Sequence, residues 1–273
     1  LKPTIYIGNQ YWREEELLFL KLNEFALQLK DYNWKIIIVE NDKTFTGKNK
    51  EYNFDKIKDT NKFSKFKDNI IHIKMNGFGA EELQNSPMQN DFIQKRAMIE
   101  GFKNAKDNDI LVICDLDEIP DFRTILTYFN NDLNNIDKIY SLQIRLYYYY
   151  YNCKALFEDD RVTICKKKDF KGVDEHRAGP SMGVPRIWIP NAGWHFSYLG
   201  GTEAVKTKVQ NFGHSELNTP EVISGIEENI KNLKDIYGRG CSYRIVPINN
   251  TFPQFMLDNI NLFKHNFYND LRG

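Results

Sequence analysis

The sequence predicts an α/β fold: a mostly parallel, Rossmann-like sheet flanked by helices, in one domain covering residues 1–273. Three observations carry the prediction. The chain opens with an apolar run, a helical stripe and a second apolar run, the order of a β-α-β unit. A continuous apolar run, Ile110 to Cys114, has the form of a buried strand and leads straight into Asp115 and Asp117. No internal repeat or long linker divides the 273 residues.

Taken in order, Thr4 to Ile7 is a short strand ending at Gly8-Asn9. From Glu14 to Leu29 the spacing predicts a helix, with Leu17, Leu18, Leu20, Leu22, Phe25, Ala26 and Leu29 forming a broad apolar stripe. Trp34 to Val39 is a second buried strand, closed by Glu40-Asn41-Asp42. Lys43 to Asp68 is polar and reads as a long surface loop with short helical pieces. Asn69 to Lys74 is a third strand, 77–90 a loop, and Asp91 to Lys106 a helix that puts Lys95 and Arg96 in its first turn.

Beyond Pro120, Phe122 to Phe129 is helical, Lys138 to Tyr151 is strongly β-prone, and Arg161 to Lys166 is a further strand. Lys171 to Pro190, rich in Gly and Pro, reads as a loop with one short strand. Asn191 to Gly201 is an aromatic strand bracketed by glycines. Thr202 to Phe212 reads as a helix capped by Thr202. Glu221 to Tyr237 is amphipathic, and the tail from Asn259 is expected to be helical.

Composition sets bounds on function. Lys plus Arg equals Asp plus Glu at 37 each, which lacks the basic excess of a general nucleic-acid binder. No apolar run reaches transmembrane length. Leu1 is not an initiator residue, so an excised domain is expected. The cysteines (Cys114, Cys153, Cys165 and Cys241) include no C-x-x-C pair, which argues against zinc and leaves a reducing compartment, the cytoplasm, as the default. A lumenal compartment is the alternative if an anchor has been removed. No Walker loop, G-x-G-x-x-G or G-x-S-x-G elbow is present, so kinase, dehydrogenase and α/β-hydrolase chemistry lose support.

The chemistry concentrates in four places. Asp115 and Asp117 follow a buried strand, where open α/β sheets bind ligands, and strand alternation puts both on one face. Two hard oxygen donors suit a divalent cation with positions left for phosphate oxygens, and Glu118 adds a third acid. A pair of helix-capping carboxylates is the ordinary alternative. Gly193-Trp194-His195-Phe196-Ser197 supplies an imidazole suited to be a third ligand, although a lone His is more often a hydrogen-bonded core residue. Lys95-Arg96, placed where the helix dipole does not favour bases, would suit a diphosphate. Glu40 after the second strand stands where an acid often bonds a ribose hydroxyl, with a simple turn role as its equal.

These residues also resemble a known family. Glu15-Glu16-Leu17-Leu18 with Leu22-Asn23-Glu24, Val39-Glu40-Asn41 with Thr44-Phe45-Thr46-Gly47, Asp109 to Pro120, and Ala192 to Ser197 with Glu203 and Lys208 are similar to the motifs of glycosyltransferase family 17. That family includes the transferase that adds bisecting GlcNAc to N-glycans. The resemblance implies a GT-A type fold, a UDP-linked sugar donor (UDP-GlcNAc foremost), Mn²⁺ or Mg²⁺, inversion at the anomeric carbon and a glycan acceptor. On this basis residues 1–120 are expected to bind the nucleotide sugar and 121–273 the acceptor. Asp115, Asp117 and His195 are expected around the metal, Glu40, Lys95, Arg96, Asp115 and Lys208 around the donor, and Glu203 as the base, with Glu118, Asp174 and Glu175 as rivals. A non-catalytic carbohydrate-binding module and a metal-dependent phosphatase are the competing classes.

Overall fold

The computed structural model describes residues 2–79 and 85–268. Its strands are β1 (Ile5–Gln10), β2 (Trp34–Asn41), β3 (Ile70–Met75), β4 (Ile110–Ile113), β5 (Glu118–Pro120), β6 (Tyr140–Tyr148), β7 (Cys153–Lys166), β8 (Trp188–Ile189), β9 (Gly193–Ser197) and β10 (Tyr243–Ile245). Along the sheet they run β3-β2-β1-β4-β7-β6-β9-β5, with β10 added to β7 and β8 to β6. The β3-β2-β1-β4 part is parallel throughout, as the β-α-β opening predicts. β7 enters antiparallel to both β4 and β6, while β6 and β9 are parallel. The result is a mixed α/β sheet whose β3-β2-β1-β4 half is a Rossmann-like parallel unit.

The helices are α1 (Glu15–Gln28), α2 (Asn53–Ile57), α3 (Pro87–Arg96), α4 (Met98–Gly101), α5 (Phe122–Tyr128), α6 (Val173–Ala178), α7 (Gly201–Asn211), α8 (Pro220–Lys231), α9 (Gln254–Asp258) and α10 (Ile260–Phe263). One face of the sheet is sealed by α1, whose Leu18, Leu20, Leu22 and Phe25 pack on Ile5, Ile7, Ile36 and Ile38. The opposite face places Ile37, Val39, Leu111 and Ile113 against Met98 and Phe102. This two-sided burial is why the strands read as continuous apolar runs. A third cluster joins Val205, Val209, Ile226 and Ile230 of α7 and α8 to Tyr148, Tyr149 and Tyr198. No helix among the described residues is long and apolar enough to cross a membrane.

Three expectations are corrected. The helix expected over 91–106 starts earlier, because Ser86 and Gln89 form a reciprocal capping box with Pro87 in the first turn. It breaks at Ala97, so Lys95 and Arg96 lie in its last turn, where the helix dipole favours bases. The Gly/Pro-rich stretch from Lys171 holds a helix, α6, that its composition hid. α7 begins at Gly201 after a left-handed Gly200, so Thr202 lies inside the helix and does not cap it.

The chain's ends are tied together. Glu24, fully buried on α1, accepts hydrogen bonds from the Gln254 and Phe255 amides at 3.0 and 2.7 Å and so caps α9. Glu16 accepts from the Tyr151 hydroxyl at 2.7 Å and from Asn266 Nδ2 at 2.8 Å.

Candidate active site

A cleft of about 490 Å³ opens at the carboxyl ends of β1, β2 and β4. Gln10, Tyr11 and Trp12 after β1 and Lys43, Thr44 and Phe45 after β2 line one end. Asp91, Gln94 and Lys95 of α3 line a side. Asp115, Leu116, Asp117, Arg161, His195 and Lys208 line the centre, and Tyr148, Tyr198, Tyr237 and Arg239 the far end.

The two aspartates reach this cleft by a route the strand argument did not foresee. β4 ends at Ile113, and residues 115–118 form a turn in which the Glu118 amide donates to the Asp115 carbonyl at 3.2 Å. The Glu118 carboxylate closes the turn by accepting from the Asp115 amide at 2.7 Å. Alternation along a strand therefore does not set the directions of Asp115 and Asp117, and each faces its own set of cations.

Asp115 Oδ2 accepts from Arg177 Nη2 at 2.7 Å and lies 3.6 Å from Lys95 Nζ. Burial works against its ionisation, but Arg177 and Lys95 outweigh that and hold its pKa below the ordinary value. Its Oδ1 is buried without a hydrogen-bond partner. Asp117 Oδ2 accepts from Lys208 Nζ at 2.9 Å and lies 3.4 Å from His195 Nε2. Here too burial opposes ionisation, and Lys208 and His195 override it, keeping the carboxyl well below its usual range.

His195 sits on β9, whose pairing with β5 sets it opposite Glu118. Its Nδ1 is 3.1 Å from Asp159 Oδ2, and Arg161 in turn grips Asp159 with Nε and Nη2 at 3.1 and 2.8 Å. Burial would strip the imidazole of its proton, yet Asp117 and Asp159 hold its pKa well above the ordinary value. A carboxylate fixing one ring nitrogen so that the other faces the site is the usual support of a metal-bound histidine.

The cleft holds oxygen and nitrogen donors of the kind a hard divalent cation takes: Asp115 Oδ1 is a buried acceptor with nothing to accept from, and Asp117 Oδ2 and His195 Nε2 stand 3.4 Å apart. Glu118, Asp159 and His195 also offer ligand atoms within 4.8 Å of one another. The carboxylates of that trio are already engaged, Glu118 by Arg177 at 2.7 and 3.0 Å and Asp159 by Arg161. A cation there would have to displace two guanidinium groups. Asp115, Asp117 and His195 are not such a group as their side chains stand, Asp115 being turned to Arg177 and Lys95 and Asp117 to Lys208 and His195.

The remaining expected residues divide. Lys95 and Lys208 line the cleft. Burial favours a neutral amine in both, and the facing aspartates reverse this and raise both pKa values. Arg96 points outward, more than half exposed and paired with Asp174. Glu40 is fully buried, and its oxygens accept from the Asn53 and Phe54 amides at the start of α2 and pair with Lys50 at 3.1 Å. It therefore has no oxygen facing a ribose, and the capping role accounts for it. Glu203 lies on the outward face of α7, its side chain 86% exposed and bonded to Lys206 at 3.0 Å, so the structure does not bring it to the two aspartates. Of its rivals, Glu118 is engaged by Arg177 and Asp174 by Arg96, and Glu175 does not line the cleft.

Several residues were missed by sequence reading. Arg177 of α6 bridges Asp115 and Glu118 from a segment that looked like a loop. Asp159 and Arg161 were hidden because their value lies in pairing with His195 across the sheet. Lys21, in the middle of α1, is fully buried and sends its ammonium under the 115–118 turn. There it donates to the carbonyls of Asp115 and Glu118 at 2.9 and 2.7 Å and to Asn9 Oδ1. A charged residue inside an otherwise apolar stripe was the signal that could have found it.

The model of glycosyltransferase family 17 matches residues 10–264. The chain belongs to this family. Its match takes in every cleft residue named above, from Gln10 to Arg239. No curated protein matches the chain at a significant level. As a family 17 member the chain is a glycosyltransferase, with a sugar donor and a glycan acceptor as the family's substrates.

Proposed function

We propose that this glycosyltransferase moves a sugar, with GlcNAc the leading assignment, from a UDP-linked donor to a glycan hydroxyl with inversion. The observation that carries the reading is the cleft at the carboxyl edge of the parallel strands. It is lined together by Asp115, Asp117, His195, Lys95 and Lys208. Asp115, Asp117 and His195 would hold Mn²⁺ or Mg²⁺, which supplies charge neutralisation for the leaving diphosphate. Lys95 and Lys208 add positive charge on either side of the turn, fixed before the donor arrives. Tyr11, Trp12, Thr44 and Phe45 form the end suited to the nucleoside, and Tyr148, Tyr198, Tyr237 and Arg239 the end suited to the acceptor.

Inversion needs a base to take the acceptor hydroxyl's proton. Glu14, two residues past Trp12, is the cleft carboxylate we favour: it is half-buried, accepts from the Arg13 amide at 3.1 Å, its charge is felt by Lys208, and it has no cation within 4.0 Å among the described residues. Asp91, by contrast, is held by Gln10 and Lys95 at 2.9 Å each. We assign the base to Glu14 in preference to the exposed Glu203.

The test is a panel of nucleotide sugars in thermal-shift and transfer assays, with Mn²⁺ and with EDTA. UDP-GlcNAc should raise the melting temperature only with metal, and Asp117→Ala should abolish the rise. Metal-independent stabilisation that survives Asp117→Ala would refute the metal site. In the same assay Glu14→Gln should lose transfer while keeping donor binding, and Glu203→Gln should retain it. The reverse pattern would return the base to Glu203.

A further inference from the structure

We infer that Lys21 is a positioning residue for the Asp115–Asp117 turn, and through it for the donor diphosphate; the inference rests on the function proposed above. The turn is the one piece of irregular backbone that both aspartates share, so its shape sets where their carboxylates stand. Three contacts fix it. The Glu118 carboxylate holds the Asp115 amide, the Phe196 amide of β9 donates to the Asp117 carbonyl at 2.9 Å, and Lys21 holds the carbonyls of Asp115 and Glu118. The first two are ordinary ties to backbone groups. The third is an ammonium with no solvent exposure.

A buried ammonium is costly, and most are matched by a carboxylate. Lys21 has none within 4.0 Å among the described residues, and its donors end on oxygens of Asn9, Asp115 and Glu118, with the Cys114 sulfur at 3.3 Å. A chain needing only to fill this space would place Leu or Met in the stripe between Leu20 and Leu22. The geometry instead spends two of the ammonium hydrogens on the underside of the turn that presents Asp115 and Asp117, and the third on Asn9 Oδ1. It also leaves one positive charge directly behind an acidic, phosphate-facing loop. Asn9, itself fully buried at the end of β1, completes the seat by donating to the Ile7 carbonyl at 3.1 Å.

The experiment compares wild type, Lys21→Met and Asn9→Ala by titration calorimetry with UDP plus Mn²⁺, alongside steady-state transfer. Lys21→Met keeps the side-chain volume and removes the donors. Groups that orient metal ligands from behind are expected to change affinity by about 10–100-fold. Lys21→Met should therefore weaken Mn²⁺·UDP binding by at least about tenfold and lower kcat, with the acceptor KM unchanged and the fold intact by circular dichroism. Lys21→Arg, which restores a charged donor, should recover part of the loss. A purely structural role predicts a lower melting temperature with unchanged Mn²⁺·UDP affinity, and that result overturns the assignment. Should Lys21→Met fail to fold, Asn9→Ala carries the test. It loosens the ammonium's seat, so several-fold weaker Mn²⁺·UDP binding supports the inference and unaltered binding overturns it. A wild type that binds no UDP with or without Mn²⁺ would instead sink the functional reading and Lys21's role with it. Unchanged variants beside a binding wild type sink only the latter.

Discussion

Arg177→Met should be among the most damaging single changes in this chain. The guanidinium is only 8% exposed and meets Glu118, which is fully buried, at 2.7 and 3.0 Å, and Asp115, 28% exposed, at 2.7 Å. Burial opposes the charge of Arg177, and the two acids outweigh it, holding its pKa well above the ordinary value. Removing one partner of a buried pair costs roughly 3–5 kcal/mol, because the other charge stays behind uncompensated. The low end applies here. Asp115 keeps Lys95 and some solvent, and Glu118 keeps the Asp115 amide. About 3 kcal/mol in a chain of this length corresponds to a melting temperature lower by ~6 °C. Urea denaturation of Arg177→Met, Glu118→Gln and the double variant measures it. The double variant should recover at least about 1 kcal/mol relative to additivity, since the neutral amide then at position 118 no longer strands a charge. A single-variant loss below about 1 kcal/mol, or strict additivity, would refute the view that Arg177 is the electrostatic keystone of the turn.

Further outcomes follow from other parts of the fold. Burial pushes the His176 imidazole down to about 4 from 6.5. Between those pH values the unfolded chain binds a proton that the native chain refuses. The contribution is whole above pH 6.5 and drains as the pH falls toward 4, by about 3 kcal/mol in all. His176→Asn should flatten that part of the stability–pH curve, and identical slopes for wild type and variant would count against it. A Cβ on Gly193 would stand 2.4 Å from the Ile119 carbonyl oxygen and 2.9 Å from Ile144 Cγ2. Gly193→Ala should cost about 1–3 kcal/mol through overpacking, and it should also weaken donor binding because His195 lies two residues on. An unchanged melting temperature would show that β5 and β9 can move apart freely. Glu24→Ala should lose about 1–3 kcal/mol by leaving the Gln254 and Phe255 amides without their acceptor. Equal urea midpoints for this variant and wild type would show that α9 needs no cap.

Much of the parallel half of the sheet was legible because its physics is local. β1, α1, β2 and β4 are each marked by a run or a stripe within a few residues of sequence, and each forms close to where the pattern puts it. Asp115, Asp117, His195, Lys95 and Lys208 all line the cleft, and residue type and position, together with the family motifs, had singled them out as candidates. The remainder depended on partners far away in sequence. Arg177 gains its meaning from Glu118, 59 residues earlier, and Asp159 from His195, 36 residues later. Glu40 misled because a carboxylate after a strand can serve a ribose or a helix start, and only the position of α2 decides between them. Glu203 misled in a similar way, because presence in a motif does not say which face of a helix looks inward. Lys95 and Arg96 were placed in the wrong turn because the capping box at Ser86 went unread.

The cap that Glu24 places on α9 bears on how the chain can be made. The two are separated by 230 residues, which ribosomes take roughly 10–50 s to add. For that interval α1 carries a carboxylate destined for full burial whose oxygens still lack the Gln254 and Phe255 amides. The parallel strands beneath α1 gain their last strand partner, β7, by residue 166, so the layer still missing is the one on the outer side of α1. That face of α1 is thus completed last although it is translated first. A nascent chain of this enzyme presents a partly covered helix to the cell, and its reliance on chaperones should be concentrated before the last helices emerge.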